Sequence, residues 1–237
     1  MIDTNPGKEQ AASAAAVHVA SGMLVGLGSG TTASAVIRVL GARVRDEGLK
    51  ILGVPTSVAT AELAHSLRIP LRDIDDVGAI DIALDGADEV DPAFQMIKGR
   101  GGALLREKIV ACAARRRVIV ITPEKQVERL GGVAIPIEVS PVGTPHIETR
   151  LRDLGADTTL RRRPNGAPYQ TDGGNKIIDC RFSSIGDLHD LDIALQRVVG
   201  VYETGLFLGL CDLLVIGYPD HAEEMPRPAR DGRSPCA

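Results

Sequence analysis

Aromatic side chains are scarce in this sequence of 237 residues, which has no tryptophan, three tyrosines and three phenylalanines. Proteins that bind single-stranded nucleic acids use aromatic side chains as stacking platforms, and nucleic-acid-binding surfaces are usually basic. This chain carries a formal net charge of -4 instead. We therefore expect a small-molecule ligand and no nucleic-acid partner.

Long hydrophobic runs and clustered metal ligands are also missing. No apolar stretch is long enough to span a bilayer. The four cysteines are dispersed, without the paired spacing of a zinc site or a redox motif. The five histidines are scattered as well, whereas metal ligands usually cluster. We expect a cytoplasmic protein that binds no metal and has no membrane partner.

The first half of the sequence alternates short apolar runs with helical patterns. Runs at 23–27, 51–54, 80–84 and 118–121 predict strands, and the segments 9–20, 31–45, 58–67 and 104–117 predict helices. Such alternation favours a mostly parallel sheet in an α/β fold. We expect the last of these helices to bury the stripe Leu104, Leu105, Ile109 and Cys112 and to end in the cations Arg115–Arg117.

The second half of the sequence has a different pattern, which begins after the glycines and prolines near residue 131. It predicts a strand at 133–139, a helix at 144–154, hairpin strands at 158–162, 169–171 and 175–180, a helix over 188–198 and a strand at 201–207. This β-α-β-β-α-β order is typical of a small α+β, ferredoxin-like domain. We expect a first domain of residues 1–128 and 206–225, with a strand at 213–216 returning to the first sheet, a small domain of residues 129–205, and a loose tail at 226–237.

Glycines and hydroxyl side chains stand between the first predicted strand and its helix, in Gly26-Leu27-Gly28-Ser29-Gly30-Thr31-Thr32. The N–H groups of such a turn, together with the helix start, can bind a phosphate group. The glycines could also form only a tight turn, but the hydroxyls of Ser29, Thr31 and Thr32 favour phosphate. The third glycine of a dinucleotide motif and the lysine of a P-loop are absent, so we expect neither NAD binding nor nucleotide hydrolysis.

A second segment combines carboxylates, an ammonium group and flexible backbone, in Asp85-Gly86-Ala87-Asp88-Glu89 and then Lys98-Gly99-Arg100-Gly101-Gly102. Asp85 and Asp88 should emerge where the strand 80–84 ends, at the edge where open α/β sheets bind ligands. Both could instead be turn or helix-capping residues. Lys98 and the glycines, which leave room for a ligand, favour an active site that holds acid, base and electrophile.

Glu107 follows near the start of a predicted helix, where it would face the small apolar residues Val110, Ala111 and Ala114. Partial burial there would disfavour the carboxylate and raise its proton affinity, which suits a general base near neutral pH. An exposed glutamate paired with an arginine is the commoner alternative.

Together, the segments Gly26–Thr32, Asp85–Asp88 and Lys98–Lys108 resemble the type A family of ribose-5-phosphate isomerases. Further matching segments occur in the same order at 54–57, 125–131, 136–139, 171–175 and 203–207, so that the likeness covers residues 8–220. The resemblance implies a Rossmann-like domain with a smaller α+β domain, no cofactor, and a homodimer or tetramer. Arg100 departs from the glycine that the family usually carries, and Gly173–Lys176 departs from a usual Asp-Asn-Gly-Asn followed by an apolar residue.

The resemblance also implies an activity, the interconversion of D-ribose 5-phosphate and D-ribulose 5-phosphate through an enediolate in the non-oxidative branch of the pentose phosphate pathway. Glu107 would be the proton-transferring base, and Asp85, Asp88 and Lys98 would line the sugar end of the site. Arg100 could occlude the pocket or add a phosphate contact. The substrate-binding residues would be Ser29, Gly30, Thr31, Thr32, Gly86, Ala87, Gly99, Arg100, Gly101 and Lys125.

Two other functions are compatible with parts of the sequence. A non-catalytic sugar-phosphate sensor would keep the glycine loop and lose the acid–base residues, whereas this chain has both Glu107 and Lys98. Another enzyme on the same scaffold, such as an amino-sugar phosphate deaminase or a CoA transferase, matches the segment Lys98–Lys108 less well.

Overall fold

A computed structural model describes residues 5–227. The helices are α1 Pro6–Ala16, α2 Gly30–Asp46, α3 Val58–Ser66, α4 Leu104–Ala113, α5 Thr144–Asp153 and α6 Leu188–Gln196. The strands are β1 Leu24–Leu27, β2 Leu52–Pro55, β3 Ile80–Gly86, β4 Glu89–Val90, β5 Met96–Ile97, β6 Ala114–Ile121, β7 Ile135–Val139, β8 Ala156–Leu160, β9 Lys176–Phe182, β10 Val201–Thr204, β11 Leu206–Phe207, β12 Leu213–Gly217 and β13 Ala222–Pro226.

The chain divides into two compact units. Among the described residues, the first contains 5–87, Arg106–Gln126 and 209–227. The second contains Asp88–Leu105 and Val127–Leu208. The segment that follows β3 therefore belongs to the second unit, although it precedes the boundary expected near residue 128.

The first unit is built on a six-stranded sheet in the order β13-β12-β6-β3-β1-β2. All neighbouring pairs are parallel except β12 with β13, so the expected mostly parallel sheet and the return of the strand 213–216 to it are confirmed. The strands are nearly continuous apolar runs because a parallel sheet is buried on both faces. Every residue of β12, for example, is buried.

Alanines in α1 allow this helix to approach the sheet closely. Its buried face carries Ala11, Ala12, Ala15 and Ala16, which pack in one cluster with apolar residues of α2 and β12. A Cβ on Gly217, the last residue of β12, would lie 1.8 Å from the carbonyl oxygen of Gly7. A larger residue at Gly217 would therefore push the start of α1 away from the sheet.

The second unit contains a four-stranded antiparallel sheet in the order β10-β7-β9-β8, with α5 and α6 in the connections. This is the strand order of a ferredoxin-like β-α-β-β-α-β motif, and it confirms the predicted small α+β fold. Its core includes Ile137, Ile178, Leu151 and Leu195. A separate three-stranded sheet in the order β11-β5-β4 completes the unit.

The three arginines Arg115–Arg117 lie in β6 and not at the end of the preceding helix, so that prediction was wrong. The strand begins at Ala114, directly after α4, because Ala114 pairs with Ile80 of β3. Arg117 is buried and its Nε donates to Asp212 Oδ2 at 2.7 Å. Asp212, which is 95 residues away in the sequence, is therefore the ionic partner that allows Arg117 to occupy a buried strand position.

Three further details differ from the predictions. The expected strand 201–207 is divided at Gly205 between β10, which pairs with β7, and β11, which pairs with β5. The Gly205 N–H donates to the carbonyl oxygen of Pro136 at 2.7 Å, and the Gly205 carbonyl oxygen accepts from the N–H of Lys98 at 2.9 Å. Residues 169–171 form no strand, and only an isolated bridge joins Arg162 to Pro168. β13 extends the chain's regular structure to Pro226, where the tail was expected to begin, and residues 228–237 of that tail lie outside the described residues.

Among the helices that are described, none has the length and apolar character needed to cross a membrane.

Candidate active site

The glycine loop joins β1 to α2 at the carboxyl edge of the first unit's sheet. The N–H of Gly28 donates to the carbonyl oxygen of Leu84 at 2.9 Å, and the N–H of Ser29 donates to Asp85 Oδ1 at 3.1 Å. A Cβ on Gly28 would lie 2.1 Å from Asp85 Oδ1. The loop can therefore approach Asp85 only because residue 28 is glycine.

Asp85 lies inside the last part of β3, where it was expected just after the strand. It pairs with Ile119 of β6 and is 8% exposed. Its Oδ1 accepts hydrogen bonds from the N–H groups of Ser29 and Gly86, the latter at 2.8 Å. The carboxylate therefore holds the glycine loop against β3. Asp88 lies in the second unit.

A network of hydroxyl groups supports the same loop. Thr56 Oγ1 donates to the carbonyl oxygen of Leu27 at 3.0 Å and lies 2.7 Å from Ser29 Oγ. Because the Thr56 proton is used on Leu27, the Ser29 hydroxyl must be the donor between the two side chains. Thr60 Oγ1 donates to the carbonyl oxygen of Gly28 at 2.9 Å. Thr56 and Thr60 were not predicted as site residues, although Thr56 lies in one of the segments that carry the family resemblance.

Lys8 is a second residue that the sequence analysis missed. Its Nζ donates to Thr31 Oγ1 at 2.8 Å, at the start of α2. The Thr122 hydroxyl holds the pKa of Glu124 below its usual range, and the charges of Lys125 and Lys8 act in the same direction. Both ammonium groups therefore lie near Glu124. One sequence feature could have indicated a role for Lys8: it lies in the first turn of α1, where the helix dipole disfavours a cation.

Glu107 is 5% exposed, and its Oε2 atom is shielded from solvent. Val110, one turn later in α4, packs with Ala83 of β3, and its Cγ1 lies 2.6 Å from the position of a Cβ on Gly26. Because α4 then ends where β6 starts beside Ile80, the helix runs antiparallel to the strands. Glu107 therefore lies about 4.5 Å farther along the helix axis than Val110, toward the carboxyl ends of β1 and β3.

The buried face of α4 is the face that carries Glu107. Leu104, Glu107 and Val110 are all buried, whereas Ile109 is 47% exposed and Cys112 is exposed. The predicted buried stripe is therefore wrong at Ile109 and Cys112, whereas Leu104 is buried as expected and Leu105 is partly buried. Of the small residues predicted beside Glu107, Val110 packs against Ala83 of β3, Ala111 is partly buried, and Ala114 is the first residue of β6.

Lys98 lies in the second unit, directly after β5. It is 4% exposed, and its Nζ lies 5.2 Å from the centroid of the Phe207 ring. Its backbone N–H donates to the carbonyl oxygen of Gly205 at 2.9 Å. Both the side chain and the backbone of Lys98 are therefore held within this unit.

Asp88 and Arg100 are joined within the second unit by one hydrogen bond. Asp88 Oδ2 accepts from the N–H of Arg100 at 2.9 Å, and the Asp88 N–H donates to the carbonyl oxygen of Ile97 at 2.9 Å. Arg100 is exposed. With Asp88 it borders a cavity of about 320 Å³, which is lined by Asp88, Arg100, Val133, Ala134, Pro136, Arg161, Asp179 and Arg181.

The predicted site residues fall into two groups. The first unit contains Ser29, Gly30, Thr31, Thr32, Asp85, Gly86, Ala87, Glu107 and Lys125. The second unit contains Asp88, Lys98, Gly99, Arg100 and Gly101. Across residues 5–227, the structure contains no group of three or more His, Cys, Asp or Glu side chains that could hold a metal ion.

Comparison with known families gives a match to ribose 5-phosphate isomerase A (phosphoriboisomerase A) over residues 52–221. The chain is 46% identical over 230 residues to ribose-5-phosphate isomerase A of Roseiflexus sp. (strain RS-1), covering 96% of this chain and 99% of that protein. It is 49% identical over 218 residues to ribose-5-phosphate isomerase A of Thermomicrobium roseum, covering 91% of this chain and 92% of that protein.

Solved structures give the same result. Ribose 5-phosphate isomerase A from Methanocaldococcus jannaschii superimposes with a TM-score of 0.88 at 36% identity, covering 92% of this chain and 97% of that chain. A D-ribose-5-phosphate isomerase in complex with phospho-erythronic acid superimposes with a TM-score of 0.89 at 38% identity, covering 93% and 97%. This chain therefore belongs to the ribose 5-phosphate isomerase A family of enzymes.

Proposed function

We propose that this chain interconverts D-ribose 5-phosphate and D-ribulose 5-phosphate through an enediolate, with Glu107 as the base. The observation that carries this proposal is the burial of Glu107 on the sheet-facing side of α4, toward the strand edge that bears Gly28 and Asp85. The names of the related isomerases support the choice of substrate.

Glu107 moves one proton in this reaction. In the open-chain aldose it removes the proton from C2, and it returns a proton to C1 of the enediolate on the same face, while the O2 hydroxyl proton passes to O1 as the C2 carbonyl forms. Desolvation disfavours a charged carboxylate, so a buried glutamate is a stronger base than an exposed one. The negative charge that develops on the former carbonyl oxygen would be stabilised by the Lys98 ammonium group. Asp85 or Asp88 would exchange a proton with the sugar during ring opening.

The phosphate group would bind at the start of α2. The helix N-terminus and the hydroxyls of Thr31 and Thr32 offer donors there, and Lys125 and Lys8 add positive charge. The Ser29 hydroxyl is turned to Thr56, so we assign Ser29 to holding the loop in place. The backbone of Gly30, Gly86, Ala87, Gly99 and Gly101 would border the substrate.

Proton NMR in deuterated water tests this function directly. We expect the protein to form ribulose 5-phosphate from ribose 5-phosphate, with deuterium at C1 in part of the product because the carboxyl group exchanges its proton with solvent. Binding without turnover would instead indicate a sensor. Turnover of another sugar phosphate, with none of ribose 5-phosphate, would indicate a different enzyme on this scaffold.

Lys8→Met is expected to raise KM for ribose 5-phosphate about tenfold and to leave kcat nearly unchanged, because a charge-assisted contact to phosphate contributes 1.5 kcal/mol or more. Steady-state kinetics measures both constants. Lys50→Met is the matched control, since Lys50 is exposed in the same unit. An unchanged KM in the Lys8 variant would remove Lys8 from the phosphate site.

Three parts of the proposal stay predictions. The family resemblance motivates the place of the reaction in the non-oxidative branch of the pentose phosphate pathway and a homodimer or tetramer as the working form. The dispersed cysteines and the lack of a long apolar run motivate the third, a cytoplasmic location.

A further inference from the structure

Three successive carbonyl groups that follow Lys98 are bound by two side chains of the β8–β9 connection. Arg161 Nη1 donates to the carbonyl oxygen of Gly99 at 2.9 Å and to that of Arg100 at 3.0 Å. The Tyr169 hydroxyl donates to the carbonyl oxygen of Gly101 at 3.1 Å. The whole turn of this loop is therefore held from one side.

Arg161 is itself fixed by an ion pair. Its Nε donates to Asp179 Oδ2 at 2.9 Å, and its Nη2 donates to Asp179 Oδ1. The Arg161 and Asp179 side chains are only 14% and 24% exposed. Because the guanidinium group is planar and rigid, this two-point contact with Asp179 sets the direction in which Nη1 points.

Tyr169 completes the arrangement. Its ring centroid lies 5.9 Å from the Arg161 guanidinium carbon. Burial raises the pKa of the Tyr169 phenol, so the hydroxyl stays protonated and can donate. A Cβ on Gly102 would lie 2.3 Å from the Tyr169 oxygen, which shows how closely the ring lies against the loop.

The loop has few other constraints on its conformation. Gly99 and Gly102 have φ values of +104° and +86°, and glycine populates such conformations without a fixed preference. Gly99 and Gly102 are buried, but Arg100 and Gly101 between them are exposed, so burial does not hold the middle of the loop. Two backbone donors contribute: the N–H of Gly102 binds Gly99 and the N–H of Arg100 binds Asp88. Hydrogen bonds therefore determine the loop's shape.

We propose that Arg161, oriented by Asp179 and assisted by Tyr169, is a positioning residue that fixes the loop Gly99–Gly102 and, through it, the place of Lys98. This inference rests on the proposed function, because the position of the loop matters for activity only if the Lys98 ammonium group acts in the reaction. Arg161 contacts backbone carbonyls within the second unit and needs no contact with the sugar.

Arg161→Ala is expected to lower kcat for ribose 5-phosphate about 10- to 100-fold with a smaller change in KM, since a shift of ~1 Å at a catalytic group can cost 100-fold. Guanidinium ion added at millimolar concentration should restore part of kcat. Arg161→Lys should keep only part of the activity, because an ammonium group lacks the planar fork that contacts Asp179 at two points and holds Nη1 toward the two carbonyl groups. Arg162→Met is the matched control, because Arg162 is exposed in the same connection and its Nη1 donates only to the carbonyl oxygen of Gly166 at 2.8 Å.

Hydrogen exchange measures the loop without substrate. In Arg161→Ala the amides of Arg100 and Gly102 should exchange faster than in the wild type, and Tyr169→Phe should show a smaller change in the same direction. A lower melting temperature with wild-type kcat and wild-type exchange in the loop would overturn the proposal, since it would show a role in stability alone. If wild type fails to isomerise ribose 5-phosphate, the proposed function fails, and the exchange measurement still decides whether Arg161 orders the loop.

Discussion

Glu107→Gln is expected to lower kcat for ribose 5-phosphate by about 10²- to 10⁴-fold, the usual loss when a general base is removed. Glutamine fills the same volume in the buried site but cannot accept the proton from C2. Proton NMR should show little ketose formation in deuterated water, and the C2 proton of ribose 5-phosphate should not exchange. The melting temperature should change little, since the shape of the side chain is kept.

Two further variants sharpen this result. Glu107→Asp keeps the carboxylate but withdraws it by one methylene, so we expect activity between those of wild type and the glutamine variant. Glu62→Gln is the matched control, because Glu62 is exposed on α3 of the same unit, and it should retain wild-type kcat. Equal turnover by wild type and Glu107→Gln would show that another group moves the proton.

The parallel sheet could be predicted from the sequence because strands buried on both faces are written as short apolar runs. The edge strand β13 could not be predicted in this way. It carries Glu223 and Glu224 and is largely exposed, so no apolar run marks it. Arg117 in β6 is a similar case, because a cation in a buried strand depends on Asp212, whose position next to it follows only from the folded sheet.

Local periodicity placed Glu107 beside Val110 on α4, but it chose the wrong face as the buried one. Ile109 is more apolar than Glu107, but Val110 is the residue that packs against Gly26 and the apolar cluster with Ile80 and Ala83, so the face with Glu107 meets the sheet. Lys8 was missed because its contact is with a residue distant in sequence, Thr31. That contact accompanies the close approach of α1 to β12 at Gly217, which an alanine-rich sequence does not reveal.

Lys98→Met is expected to lower kcat by about 10²- to 10³-fold with little change in KM, because a fixed cation contributes most where negative charge develops in the transition state. Lys98 is buried, with its Nζ 5.2 Å from the Phe207 ring centroid, and methionine can fill that space without a charge. Steady-state kinetics at several temperatures below the melting point separates this effect from unfolding.

Thermal unfolding distinguishes a catalytic charge from a structural one at this position. Lys98 is buried and its Nζ lies over the Phe207 ring, so Lys98→Met also removes contacts of the ammonium group, and we expect a lower melting temperature in a variant that still folds. A lysine kept for stability alone would give a lower melting temperature with kcat preserved at temperatures where the variant is folded. Lys176→Met serves as the control, since Lys176 Nζ donates to Thr144 Oγ1 at 3.2 Å within the same unit and has no proposed part in the reaction. A loss of kcat measured well below the melting temperature of the folded Lys98 variant, with kcat kept in the Lys176 variant, would therefore assign the Lys98 charge to the chemistry.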